Sequence, residues 1–201
     1  MALLDGRSAI VTGGAAGIGL AFVEALAANG ANVTLVDIQT DAPEIAERID
    51  GNVQGLVGDV AKLADLERVV TAATDVYGGV DLLVNNAGRY CRTPVTDPYA
   101  KAVDDWDFIM DTNLTGVLLL SRLCVPLMIE RGGGDIVNIS TYYVLPAKSP
   151  GTNGPETDLY NASKWALNGF TQAWSRALEE HDIRVNALCM GPTDTAMLRG
   201  L

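Results

Sequence analysis

Tyr160 and Lys164 stand four residues apart in the stretch Asp158-Leu159-Tyr160-Asn161-Ala162-Ser163-Lys164. On a helix that spacing stacks the two side chains on one face and brings the ammonium near the phenol oxygen. A nearby cation favours the phenolate and draws the tyrosine pKa down from its usual value of about 10. A phenol tuned in this way can pass a proton to or from an alcohol or ketone near neutral pH. Alone, the pair is also what any exposed helix face carries. It gains weight from a glycine-rich turn, Gly13-Gly14-Ala15-Ala16-Gly17-Ile18-Gly19, which suggests that the same chain binds a redox cofactor.

The elements around these residues must bring them together. Residues 8–12 are apolar with β-branched members and read as a buried strand. The glycine turn follows at once, and residues 20–29 have helical periodicity up to Gly30. Strand, turn and helix form the first half of a mononucleotide-binding unit, with small residues letting the backbone approach a pyrophosphate at the helix N-terminus. A second strand over 31–36 ends at Asp37. An acid about 20 residues beyond the turn can accept hydrogen bonds from the adenosine ribose hydroxyls and repel a 2′-phosphate. No arginine or lysine stands in the turn or directly after Asp37, which favours NAD over NADP.

The alternation continues. Helices are expected over 41–50, 63–77, 105–130 and 158–180, and strands over 53–57, 81–84, 136–140 and 183–188. A long loop rich in proline and glycine spans 141–157. This order predicts an α/β fold, a doubly wound parallel sheet in a single domain over 1–201. Ligands bind such sheets beyond the C-terminal strand ends. Residues 13–19, Asp37, Asp59, residues 85–88, Thr141 and Gly191 all fall just after strands.

Composition narrows the partners. The 201 residues carry a net charge of −11, which argues against nucleic acid or an anionic membrane surface. Cys91, Cys124 and Cys189 are scattered and odd in number, so neither a disulfide framework nor a metal site is expected. The first residues, interrupted by Asp5 and Gly6, do not read as a signal peptide. The apolar run 117–120 is too short to span a bilayer. A soluble, cytoplasmic protein is the expectation.

Taken together, Thr12-Gly13-x-x-x-Gly17-x-Gly19, Asn85-Asn86-Ala87-Gly88 and Tyr160-x-x-x-Lys164 resemble, in this order, the motifs of the short-chain dehydrogenase/reductase family. The resemblance covers essentially the whole chain. It implies a Rossmann-type fold and NAD(P)-dependent oxidation of secondary alcohols or reduction of ketones, with NAD indicated by Asp37. By resemblance, the Ile18 backbone N–H meets the pyrophosphate, Asp37 the ribose, and Asp59 and Val60 the adenine. Asn86, Ala87 and Gly88 line the nucleotide cleft. Tyr160 is the acid/base, while Lys164 lowers its pKa and binds the nicotinamide ribose. Asn113 is the helix residue whose local distortion holds a water beside the lysine. Gly191, Thr193 and Thr195 occupy the segment that meets the nicotinamide carboxamide. Homodimers or homotetramers built on the long helices are likewise implied.

Three departures stand out. The family's catalytic serine place holds Thr141, with Ser140 as the fallback. Threonine keeps the hydroxyl, but its methyl narrows the rotamer choice. The loop 141–157 is longer than usual and should form a substrate wall. The family's C-terminal covering segment and final strand are expected to be missing after Leu201. Met190 should pack rather than react. Asp97, Asp104, Asp105 and Asp107 read as helix-start caps and solvated surface, and His181 as exposed. Arg89, Tyr90, Arg92, Tyr142 and Tyr143 could reach the substrate mouth, and an anionic substrate would follow if both arginines face it. Two further readings stay open: a redox-silent nucleotide sensor, and a reductase of carrier-linked 3-oxoacyl chains.

Overall fold

The computed structural model describes residues 2–145, 156–195 and 199. Six strands form one parallel sheet: β1 (Ser8–Thr12), β2 (Asn32–Asp37), β3 (Asn52–Val57), β4 (Leu82–Asn85), β5 (Gly134–Thr141) and β6 (Ile183–Met190). Their order across the sheet is β3-β2-β1-β4-β5-β6, the doubly wound arrangement that the alternation of elements predicts. The order reverses between β1 and β4, and the crevice above that switch point is where such sheets take ligands.

Helices cover both faces. Alternate residues of the strands point to opposite sides, so Ala9 and Val11 join α1 (Gly17–Ala28) and α2 (Ala42–Ala46) in one apolar cluster. Ile10, Leu83 and Ile136 join α3 (Leu63–Tyr77) and α5 (Gly116–Glu130) in the other. The helix α6 (Asp158–Ala177) packs over β5 and β6 and sends Trp174 into the second cluster.

Four helices differ from their expected bounds, and the one expected over 20–29 begins earlier, as α1 at Gly17. The 41–50 helix shrinks to α2, because Arg48 and Ile49 donate to carbonyls three residues back and tighten the chain toward β3. The helix expected from residue 105 starts earlier as α4 (Tyr99–Met110), with Pro98 at its N-cap. Lys101 pairs with both Asp97 and Asp105 and ties this first turn together. Those two aspartates are thus ion-pair partners rather than free surface charges. The last helix ends at Ala177, and a short 3-10 turn (Glu179–His181) leads through Asp182, at φ 55°, into β6.

Between α4 and α5 the helix widens into one π turn (Asp111–Thr115). The whole rod Tyr99–Glu130 is long and apolar enough to cross a membrane by length and composition. Its apolar face is accounted for by burial: Leu120, Cys124 and Met128 sit in the core against α3 and the sheet.

At the N-terminal edge of the strands, ion pairs staple the sheet. Arg131 grips Asp81 with two hydrogen bonds of 2.7 and 3.0 Å, and Arg7 and Arg184 converge on Asp135 at 3.1 and 2.7 Å. The opposite, C-terminal edge is left for chemistry.

Candidate active site

A cleft of about 510 Å³ opens along that C-terminal edge. Its floor begins at the glycine turn. Gly13 and Gly17 adopt φ of +62° and +54°, values that side chains rarely take. A Cβ on Gly13 would stand 3.0 Å from the Ala87 backbone, so the turn lies flush against the end of β4. Asn86 makes this join: its side-chain amide donates to Thr12 O and Gly13 O at 2.9 and 3.1 Å. The N-terminus of α1 has no side-chain cap and no acid in its first turn, and Ala16, Gly17 and Ile18 line the cleft there. Bare N–H groups at a helix start, approached through a glycine cradle, fit the pyrophosphate of a dinucleotide.

Gly19 lies inside the turn. A Cβ there would meet Gly13 O at 2.0 Å and the Asn86 amide nitrogen at 2.5 Å. Gly19→Ala is therefore expected to lower stability by about 3 kcal/mol, the scale of overpacking a tight site, and to abolish dinucleotide binding. A thermal melt and a fluorescence titration check this; unchanged binding would mean that the turn has slack.

At the end of β2, Asp37 is only 8% exposed. Its carboxylate accepts the backbone N–H groups of Ala15 at 3.0 Å and Gln39 at 3.1 Å, which hold it on the cleft wall. Asp59 and Val60 after β3, and Asn86, Ala87 and Gly88 after β4, also line the cleft. Gly191, Thr193 and Thr195 after β6 line it as well, and Thr195 lies over the glycine turn, 3.1 Å from where a Cβ on Gly17 would stand.

The reacting end lies between β5 and α6. Thr141, the last residue of β5, and Tyr160 and Lys164 of α6 all line the cleft. Thr141 belongs to the strand, and Tyr142–Val144 form a 3-10 turn. Residues 146–155 of the expected 141–157 loop, and with them the substrate wall expected there, lie outside the described residues. Thr141 and Ser140 both border the cleft, but the Thr141 hydroxyl is the one that interacts with the Tyr160 phenol. The Ser140 hydroxyl is buried without a hydrogen-bond partner among the described residues.

The Tyr160–Lys164 electrostatics differ from the expectation. Burial, followed by the neighbouring Tyr143, pushes the Tyr160 phenol up to about 12, although the Thr141 hydroxyl pulls it down. Burial pushes Lys164 down to about 8. Its Nζ lies 5.7 Å from the tyrosine ring centroid and donates to Ile139 O at 2.8 Å. Desolvation of the phenol sets the direction, and Lys164, bonded to the β5 backbone, does not offset it, so the phenol is raised rather than lowered.

Asn113 does not line the cleft. It is fully buried in the π turn, where its side chain accepts from Arg89 N–H at 2.7 Å and donates to Arg89 O and Ser163 Oγ. Ser163 Oγ in turn donates to Tyr160 O at 2.7 Å. The distortion expected at Asn113 is present, and it couples the β4 loop to the helix carrying Tyr160.

Of the two arginines, only Arg89 lines the cleft. It pairs with Asp59 at 3.6 Å and lies over the Phe108 ring at 4.8 Å. Arg92 turns outward to Glu156, with its Nε at 2.7 Å. An anionic substrate held by both is thus not supported. Next to Arg92, Thr93 bonds Glu156 O at 2.9 Å through its N–H and Asp158 through its hydroxyl. This clamp on the start of α6 was not legible in the sequence, because its partners lie more than 60 residues apart with no periodic signal. Met190 packs against the α1-side core and borders the cleft. His181 is outside the cleft, 3.8 Å from Glu180.

A dinucleotide cradle at a topological switch point, leading to a threonine, tyrosine and lysine, defines a class of oxidoreductase. The chain belongs to the short-chain dehydrogenase family, whose model matches residues 7–201, and proteins of this family bind a nicotinamide cofactor. Among similar proteins, a galactitol 2-dehydrogenase of Agrobacterium fabrum is 35% identical over 95% of this chain and 72% of its own length. A 3-oxoacyl-(acyl-carrier-protein) reductase of Thermotoga maritima is 34% identical over 98% and 78%. A crystal structure from Sinorhizobium meliloti 1021, classed among short-chain alcohol dehydrogenases, superposes with a TM-score of 0.84 at 33% identity. It matches 96% of this chain and 75% of that one.

Proposed function

We propose that the protein is an NAD-dependent oxidoreductase that interconverts a secondary alcohol and its ketone, with Tyr160 as acid/base. The carrying observation is the convergence of Thr141, Tyr160 and Lys164 at one end of a cleft that starts at the glycine turn. When bound, the nicotinamide dinucleotide supplies the group that accepts or donates the hydride.

This chain's residues do the rest. Gly13, Gly17 and Ile18 hold the pyrophosphate through the α1 N-terminus, and Asp37 holds the adenosine ribose. Asp59 and Val60 border the adenine. Lys164, Gly191, Thr193 and Thr195 border the nicotinamide end. Thr141 and Tyr160 bracket the substrate oxygen and fix its orientation. In the reducing direction the raised Tyr160 phenol is protonated at neutral pH and donates to the ketone oxygen. In the oxidising direction the same oxygen takes the hydroxyl proton as phenolate, the form that the Thr141 hydroxyl favours. Asn113 acts through Arg89 and Ser163 as a positioning residue. Half-exposed Trp106 on α4 and Trp165 on α6 support a homo-oligomer built on these helices.

NAD preference rests on the Asp37 charge, with Ile38 and Gln39, both uncharged, beside it on the cleft wall. Titration of nicotinamide fluorescence tests it. NADH should bind at least about tenfold more tightly than NADPH, a difference of about 1.4 kcal/mol, and Asp37→Ala should narrow that gap. Equal affinity, or NADPH preference in the unaltered protein, would overturn the assignment.

A further inference from the structure

The reacting end holds more phenol than one proton transfer uses. Tyr90, Tyr142 and Tyr143 line it beside Tyr160 and Thr141. Tyr90 meets Tyr160 edge-on, with centroids 5.3 Å apart and planes at 66°. Tyr142 and Tyr143 lie 4.5 Å apart at 45°. Tyr90 follows β4 and the other two follow β5, so two adjacent strand ends build the wall. Burial raises the pKa of both Tyr90 and Tyr143, and these side chains remain neutral hydroxyls at physiological pH.

The cations nearby are engaged. Arg89 pairs with Asp59, Arg92 with Glu156, and Lys164 Nζ donates to Ile139 O. Among the described residues lining the cleft, Arg89 is thus held by an acid and Lys164 is tied to the β5 backbone. A phenol offers a flat apolar face together with a hydroxyl that both donates and accepts. Several such groups around one reacting centre match a molecule that presents C–H faces and more than one hydroxyl.

Resting on the dehydrogenase reading above, we infer that the substrate is a neutral polyhydroxylated compound, a sugar or polyol, held by Tyr90 and Tyr143 while one of its secondary hydroxyls lies between Thr141 and Tyr160. Oxidation turns that carbinol into a ketone. The C–H hydrogen leaves with its electron pair to the oxidised nicotinamide dinucleotide, and the O–H proton leaves to the Tyr160 oxygen in its phenolate form. The product is a hydroxyketone. Tyr90 and Tyr143 are the specificity residues.

The test compares kcat/KM with NAD for xylitol, D-glucitol, 2-butanol, 1-phenylethanol and 3-hydroxybutyrate, alongside saturation-transfer NMR of xylitol on the NADH-bound protein. A polyol should exceed each of the other three by at least about tenfold. Its C–H protons should receive saturation. Tyr143→Phe should narrow the polyol preference over 2-butanol about tenfold, with circular dichroism confirming the fold; Tyr90→Phe provides an independent second variant. Best turnover of 1-phenylethanol or 3-hydroxybutyrate, or a preference untouched in both variants, overturns the inference and leaves the dehydrogenase standing. Saturation transfer to xylitol without turnover of any alcohol supports polyol recognition and sinks the dehydrogenase reading. Silence in both measurements sinks both.

Discussion

Tyr160→Phe should reduce kcat by about 10²–10⁴, the range of a positioned acid/base, while NADH affinity stays within about twofold. The substitution removes one oxygen and keeps the ring. The edge-on contact with Tyr90 survives, and the helix α6 loses none of its backbone bonds. What disappears is the hydroxyl beside Thr141, in a position where no other described acid or base of the cleft replaces it. Tyr143 is the nearest rival, since its phenol is close enough to raise that of Tyr160. Steady-state kinetics, NADH titration and circular dichroism together test the assignment. A kcat within tenfold of the unaltered enzyme would move the acid/base role to another group.

Lys164→Met is expected to change the pH dependence of stability as well as to stop turnover. Lys164 is 5% exposed, and burial moves its pKa from 10.5 down to about 8. Between those two values the unfolded chain binds more protons than the folded one, so stability rises with pH across the window. Below about pH 8 both states are charged, and the cost of burying the ammonium is fully present, on the order of 3 kcal/mol. Urea unfolding from pH 7 to 10.5 should show the unaltered protein gaining on the methionine variant by about that amount. The loss of the hydrogen bond to Ile139 O shifts the variant's curve as a whole, not its slope. Parallel curves would show that the ammonium is solvated after all.

The sheet order and the cleft were readable because they rest on residue type at short range. Glycines at 13, 17 and 19, an acid at the end of β2 and apolar runs of strand length each act locally, and the signals at 13–19, Asp37, Asp59, 85–88, Thr141 and Gly191 all fall on one edge. Thr141 rather than Ser140 could be placed by resemblance to the family's serine position, and its contact with the Tyr160 phenol agrees. What escaped depends on depth and distant partners. The start of α4 at Tyr99 carries no apolar periodicity, because exposed side chains and the Lys101 ion pairs make that turn. The raised Tyr160 phenol follows from burial, which helical spacing does not report. The outward turn of Arg92 depends on Glu156, 64 residues away, and the clamp at Thr93 on Asp158, 65 residues away.

The π turn at Asp111–Thr115 sets α4 out of phase with α5 within one continuous rod. One residue of helix is about 100° of rotation. A single deletion that restored regular winding would swing the whole face of α4 by about that angle relative to α5. Phe108 would leave Arg89, and Asn113 would leave Ser163, while the core side chains of α5 could keep their places. The rod thus behaves as two separately indexed gears on one shaft. Sequence change in α5 is answerable to the core, and sequence change in α4 to Arg89 and α6, with the wide turn keeping the two constraints independent.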